Sequence, residues 1–274
     1  MASQTNVREM IAKNNAKKGG ASDKIVPIIL GIISAISILT TIAILFTLLT
    51  ETITFFTRVP FSKFFLTGTW NPTGSNPEYG IWALIIGTLK ITFIATIVSV
   101  PIGLGAAIYL NEYASDRTRR IIKPILEILA GIPTIVFGFF ALTFVTPILR
   151  SIIPGLGEFN SISPGIVVGI MIVPIITSLS EDAMSSVPNK IREGAYGLGA
   201  TKFEVATKVV LPAATSGVVA SIVLGVSRAI GETMIVSLAA GSTPTSSLSL
   251  TSSIQTMTGS VSYTHLTLPT NREE

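Results

Sequence analysis

An arginine and a glutamate four residues apart, Arg228 and Glu232, lie within a mostly apolar stretch, Ser227-Arg228-Ala229-Ile230-Gly231-Glu232-Thr233-Met234. On one helix that spacing puts both side chains on the same face. A charge at bilayer depth costs about 2.5–3.5 kcal/mol on insertion scales, and an ion pair recovers part of that cost. A guanidinium binds oxyanions through two parallel hydrogen bonds. An inward-facing Arg228 therefore suits phosphate, sulfate or a similar anion, and Arg228, Glu232 and Thr233 are candidate residues of a substrate path. The alternative is a structural pair, or one that reaches toward an interface.

A second pattern lies one polar loop earlier. Glu193-Gly194-Ala195 is followed after three residues by Gly199, after nine more by Val209, and after one more by Leu211-Pro212. The stretch 193–208 is compatible with helix, and Gly199 interrupts it at a point where a positive φ costs little. Two short helices joined at the glycine are expected. Pro212 suits the first turn of the helix that follows. Ala195, Leu198, Phe203 and Val209 could form a small apolar face for a groove on a partner.

Other chemistry is sparse. There is no cysteine and a single histidine, His265, so disulfides, thiol nucleophiles and iron–sulfur clusters are excluded. Glu181-Asp182 lack the histidine or further carboxylates of a metal site, and are expected to meet basic groups of neighbouring helices. Lys90 reads as a side chain reaching from its span to an interface. No G-x-x-x-x-G-K-[S/T] segment is present, so the chain shows no means of hydrolysing ATP itself.

The elements that must position these residues are membrane helices. Of 274 residues 48% are hydrophobic and only 12% charged, about half the charged fraction of a soluble domain, and mean hydropathy is +0.66. Several apolar runs reach the roughly 20 residues that cross a bilayer. Five spans are expected, about 25–50, 81–110, 125–149, 165–179 and 213–240, the third broken by Gly131 and Pro133. Pro101, Pro133 and Pro174 are expected to kink their spans. Gly165 and Gly169, and Gly217, Ser221, Gly225 and Ala229, recur every four residues, a spacing that lets helix backbones approach closely.

Lysine and arginine concentrate in segment 1–24 and in loops 111–124 and 180–212, and are fewer in the alternate loops. By the positive-inside rule the N-terminus and the loop bearing Glu193–Pro212 face the cytoplasm. The expected organisation is a basic cytoplasmic segment (1–24), a first transmembrane helix (25–50), an external loop (51–80), and a core (81–260) containing the loop 180–212. A polar tail (261–274) follows, with no apolar run after it.

These residues resemble a known family. Glu-Ala-Ala, three residues, Gly, nine residues, Ile, one residue, Leu-Pro is the signature of the permease subunits of ABC importers. Here Gly194 replaces the first Ala and Val209 the Ile. Thr69-Trp70-Asn71-Pro72, Leu129-Ala130-Gly131-Ile132-Pro133, Val173-Pro174-Ile175-Ile176-Thr177 and Arg228-Ala229-Ile230-Gly231-Glu232-Thr233 are similar to the permeases of phosphate-specific importers, of the PstC type. The resemblance covers about residues 25–260. It implies an all-α polytopic bundle of the MetI-like, type I importer class, with five spans present and a sixth missing, and with residues 261–274 a non-native tail. It also implies a non-catalytic inner-membrane subunit, surrounded by lipid, that binds no cofactor and no nucleic acid. Its partners would be a second similar permease, two copies of an ATP-binding subunit and an extracytoplasmic phosphate-binding protein. Glu193, Gly194, Ala195, Gly199, Val209, Leu211 and Pro212 would couple to the ATPase. A permease for molybdate or sulfate, or a membrane-signalling subunit of a phosphate-sensing complex, are the alternatives.

Overall fold

The computed structural model describes residues 21–72 and 76–267, and divides into two units, residues 1–61 and 62–274. The first unit contains one long helix, α1 (Ala21–Arg58), which continues past the expected end at Thr50. Its hydroxyls fold back on the preceding turn: Thr40 Oγ1 donates to the Ile36 carbonyl at 2.8 Å and Thr47 Oγ1 to the Ala43 carbonyl at 3.0 Å. These threonine hydroxyls are thus satisfied within the helix, as lipid requires. No residue of that stretch is buried.

A short helix, α2 (Phe61–Leu66), spans the division, and the second unit continues with a two-stranded antiparallel hairpin, β1 (Trp70–Asn71) and β2 (Glu78–Tyr79), in which Trp70 pairs with Tyr79. Then follow α3 (Trp82–Ile108), which widens into a π-helical turn at Tyr109–Tyr113, and α4 (Asp116–Gly131). α5 (Thr134–Phe140) continues through a second π turn (Ala141–Val145) into α6 (Thr146–Ile152). α7 (Ile162–Ser185) and α8 (Asn189–Gly197) come next. The chain then passes through α9 (Lys202–Glu204), a third π turn (Val205–Val210), α10 (Leu211–Ala213), α11 (Thr215–Ile230), α12 (Met234–Ala239) and α13 (Met257–Thr267). Among the described residues four helical stretches are long and apolar enough to cross a membrane. The bent pair Lys202–Ala213 and Thr215–Ile230, inclined at 76°, makes a fifth if counted as one span.

Two expected spans differ from the structure. The region 125–149 is not one broken span. Its first part belongs to α4, which carries Arg119, Arg120 and Lys123 on one side and exposed Ile121, Ile125 and Ile128 on another. The apolar span itself begins only at Thr134. Pro133 sits at the N-cap of α5 with ψ 134°, so it separates two helices and does not kink one. Pro101 and Pro174 do lie inside α3 and α7. The fifth expected span, 213–240, is interrupted at Gly231–Thr233, leaving α11 and the short α12.

α7 is the centre of the unit, packed by α3 on one side and α11 on another. The small residues permit this. A Cβ on Gly165 would stand 2.7 Å from Ile94 Cβ of α3, and one on Gly169 would stand 2.8 Å from Val98 Cβ and 3.0 Å from the Ala95 carbonyl. On the other side, a Cβ on Gly217 would meet Ala183 at 2.5 Å, and one on Gly225 would meet Ile176 at 2.9 Å. Hydroxyls join the same contacts: Ser180 and Ser221 are 2.6 Å apart, and Thr177 Oγ1 donates to the Gly103 carbonyl at 3.2 Å. Around this axis Ile91, Val168, Ile172, Phe137, Ile235 and Ile254 form one buried cluster. Met184, Val205, Val210 and Val218 form part of a second.

The Ser/Thr-rich stretch after α12 is pinned to the bundle. The Leu250 carbonyl accepts from Ser161 N at 3.1 Å and Ser161 Oγ at 2.8 Å, and Ile254 N donates to the Ala240 carbonyl at 3.0 Å. Helix α13 continues across residue 261, and residues 268–274 of the expected tail lie outside the described residues.

Replacing Gly169 by Leu should force α3 and α7 apart. Overpacking of this kind costs about 1–3 kcal/mol, and more where backbone must move. The expected result is a clear drop in the thermal unfolding temperature of the detergent-solubilised protein, with Gly105→Leu, where a Cβ meets nothing within 4 Å, as the tolerated control.

Candidate functional site

The segment Glu193–Pro212 forms two helical pieces around a glycine turn, as its residue pattern predicts. α8 ends at Gly197, and Gly199 takes φ +85°. Thr201 then starts the second piece with a reciprocal cap: its Oγ1 accepts from Glu204 N at 3.3 Å while Glu204 Oε2 accepts from Thr201 N at 3.1 Å. Lys208 Nζ adds an ion pair to Glu204 at 3.0 Å. The Thr201 N–H, then Lys208, hold the Glu204 carboxyl down to about 2. This contribution is full above the ordinary glutamate range and is lost only as pH falls through about 2, so the cap is charged at any physiological pH.

The apolar positions of this segment do not share one face. Ala195, Val209 and Leu211 turn inward onto the buried cluster of Met184, Val205 and Val210. Leu198 and Phe203 turn outward, 91% and 67% exposed. Glu193, Gly194, Gly199 and Pro212 are also exposed. The single face expected from the sequence is therefore two: one anchors the segment, the other is open to solvent. The difference arises because the π turn at Val205–Val210 shifts the helical register between Phe203 and Val209.

Arg228 and Glu232 are not a helical pair. α11 ends at Ile230, so Glu232 lies beyond it. The buried Glu232 carboxylate instead accepts from Met234 N at 3.0 Å and Ile235 N at 3.2 Å. It closes the first turn of α12, where free N–H groups and the helix dipole favour an anion. Its backbone carbonyl accepts from Thr258 Oγ1 at 2.8 Å. Arg228 is exposed, and among the described residues it makes no ion pair. Thr233 is half-buried, its hydroxyl donating to the Gly231 carbonyl at 3.4 Å. The i,i+4 spacing was misleading because the helix stops at Ile230 and Glu232 caps the helix that follows.

Lys90 is buried and does not reach an interface. Its ammonium donates to the carbonyls of Ser247 and, at 2.9 Å, Ser249, so it ties the Ser/Thr-rich stretch to α3. Glu181 does meet basic groups. It is 1% exposed, paired with Lys123 and 3.5 Å from Arg119 Nε, while Lys123 lies 3.5 Å from Asp182. The hydrogen bond from Lys123 to Glu181 raises the lysine above its ordinary range against the opposing effect of burial, so Lys123 stays protonated at physiological pH. The sequence reading placed Lys123, Arg119 and Arg192 only as topology charges. It gave no role to Glu112, which lies 3.4 Å from Arg192 Nη2. No local pattern pairs residues 80 positions apart.

The two glycines of the segment should respond oppositely to alanine. Gly194 is mid-helix with nothing within 4 Å of a Cβ, so Gly194→Ala should stabilise by about 0.5–1 kcal/mol. Gly199 has equal space but a left-handed φ, so Gly199→Ala should destabilise by about 1–2 kcal/mol. Thermal unfolding of the two purified variants checks both signs.

Comparison with known proteins bears on this geometry. The model of the family described as "binding-protein-dependent transport system inner membrane component" matches residues 99–269. The probable ABC transporter permease protein YqgH of Bacillus subtilis is 39% identical over 175 residues, which cover 64% of this chain and 56% of that protein. The phosphate transport system permease protein PstC of Pasteurella multocida is 39% identical over 191 residues, covering 63% of this chain and 59% of that protein. The chain thus spans under two thirds of the length of these relatives. A chain of the methionine ABC transporter MetNI, solved in inward-facing conformations, is 22% identical with a TM-score of 0.47, covering 55% of this chain and 71% of that one. The matched residues include the Glu193–Pro212 segment, Arg228, Glu232 and α13, and the chain belongs to the family of binding-protein-dependent transport system inner membrane components.

Proposed function

We propose that this chain is a permease subunit of an ATP-driven phosphate importer, with the Glu193–Pro212 segment docking on a separate ATPase. The observation that carries the docking is the division of that segment into two faces. Leu198 and Phe203 are large apolar side chains in full solvent contact on a well-capped, rigid element. Ala195, Val209 and Leu211 hold the same element to the bundle. A partner that buries Leu198 and Phe203 can therefore move the bundle. The similarity to proteins named as phosphate permeases supports the cargo.

The charge distribution supports a cytoplasmic location for segment 1–24 and for the docking segment. The resemblance supports the partners: a second permease, two ATP-binding subunits and an extracytoplasmic phosphate-binding protein. ATP favours the closed form of an ATPase pair, and differential affinity of this kind is what shifts a coupled bundle between two states.

The geometry of Arg228 fits an oxyanion path better than the sequence alone suggested. Glu232 spends its carboxylate on the first turn of α12, so it does not neutralise Arg228. The guanidinium keeps its fork free for a phosphate dianion, and no proton transfer to Glu232 is needed for the anion to pass. Thr233 follows directly in the chain and can offer a neutral hydroxyl.

Arg228→Ala in the assembled transporter should reduce labelled-phosphate uptake by at least about tenfold, the loss expected when a charge-assisted bidentate contact is removed, while leaving complex assembly intact. Undiminished uptake would remove Arg228 from the path. Competition by sulfate or molybdate as strong as by phosphate would reassign the cargo. Leu198→Glu should place a charge in the ATPase groove and cost about 2 kcal/mol or more, as for the loss of a central apolar anchor. The expected readout is loss of the ATPase subunit on co-purification, with the isolated permease folding normally because Leu198 touches solvent only.

A further inference from the structure

Two buried carboxylates, Glu112 and Glu181, lie near the docking segment, and the residues that answer them form one connected chain of contacts. Arg192, immediately before Glu193 on α8, has Nη2 3.4 Å from Glu112 Oε1, and the same nitrogen donates to the Met184 carbonyl in the last turn of α7 at 2.6 Å. Asn111 Nδ2 donates to Glu112 Oε1 at 2.6 Å. Arg119 of α4 donates to the Leu110 carbonyl at 2.8 Å and the Asn111 carbonyl at 3.2 Å, and approaches Glu181 of α7 at 3.5 Å. The docking segment is thereby tied to the π turn that ends α3 and to the end of α7, the two helices whose glycine-mediated contact organises the bundle.

The apolar contacts of Ala195, Val209 and Leu211 hold the segment down but are non-directional, so they tolerate sliding. Arg192 Nη2, shared between the Met184 carbonyl and Glu112, adds a directional, charge-assisted contact that resists sliding. Arg192 also carries a sign of a second arrangement: its Nε–H is buried with no hydrogen-bond partner. An orphaned buried donor is a cost in this state, and a small shift of α8 would relieve it. The π turn beside Glu112 is a place where a helix can change register.

We infer that Arg192 and Glu112 are the positioning residues that convert displacement of the docking segment into movement of α3 and α7. Arg192 acts through Glu112 and the Met184 carbonyl. The inference rests on the proposed docking of an ATPase at Glu193–Pro212.

The test uses the full transporter, reconstituted in liposomes with its second permease, ATPase and binding protein. ATP hydrolysis and labelled-phosphate uptake are measured in the same vesicles. Arg192→Met, Glu112→Gln and the double variant are compared with wild type. Each single variant is expected to assemble and to hydrolyse ATP within about twofold of wild type, while phosphate delivered per ATP falls about tenfold, within the usual range of coupling between sites. The double variant is expected to lose no more than either single, because the two residues act as one unit. Wild-type phosphate per ATP in both singles would overturn the inference, as would losses that multiply in the double variant. Loss of assembly together with both activities would overturn it too, since the pair would then be structural only. If wild-type vesicles hydrolyse ATP without taking up phosphate, the cargo assignment fails instead, and the two failures are distinguished.

Discussion

Helices in lipid gain nothing from the hydrophobic effect by associating, since the tails they leave are as apolar as their own side chains. They must close through shape and through the few polar groups they share. In this protein that constraint falls on α7. Gly165 and Gly169 admit α3 to near backbone contact, and Gly217 and Gly225 of α11 admit α7 in turn. The Ser180–Ser221 and Thr177–Gly103 hydrogen bonds are made only at that separation. Everything at either end depends on this three-helix axis. One end is sealed by Ile254 and the pinned Ser/Thr-rich stretch, and at the other the Glu193–Pro212 segment is seated on Met184 and Val218.

The axis ends where the charge begins. Glu181 is one residue past Ser180 on α7, and its carboxylate is too deep to be solvated, so Lys123 and Arg119 of α4 must come to it. That requirement draws an amphipathic helix against the bundle. Arg119 in turn occupies the carbonyls left open where α3 passes into its π turn. The site therefore has a stiff interior and a polar collar, with an apolar surface of two side chains facing out.

Legibility followed the range of the interactions concerned. Three of the five spans, the break of the Glu193–Pro212 segment at Gly199 and the small-residue stripes were readable, because each is a matter of local composition or of one residue's φ. The pairing of Arg228 with Glu232 was read wrongly for the same reason: the spacing was local evidence for a helix, and that helix stops at Ile230. Lys90 was placed at an interface because nothing nearby in sequence could receive an ammonium; its partners, Ser247 and Ser249, lie far along the chain. Gln255 shows the same limit, since its carbonyl would stand 2.2 Å from a Cβ on Gly87, a closeness no pattern announces.

By itself the sequence determined the solvent and the class of machine. Hydropathy requires helices that cross a membrane, and the Glu193–Pro212 spacing marks a polar helix–turn–helix segment between them, because these are sums over neighbours in the chain. The tertiary structure alone decided which side of each residue is used. It turned Ala195, Val209 and Leu211 inward and Leu198 and Phe203 outward, gave Glu232 to the backbone of α12, and joined Arg192 to Glu112 across 80 residues. Those outcomes depend on where helices stop and how closely they pack. Both are settled by contacts between segments, and a linear pattern does not contain them.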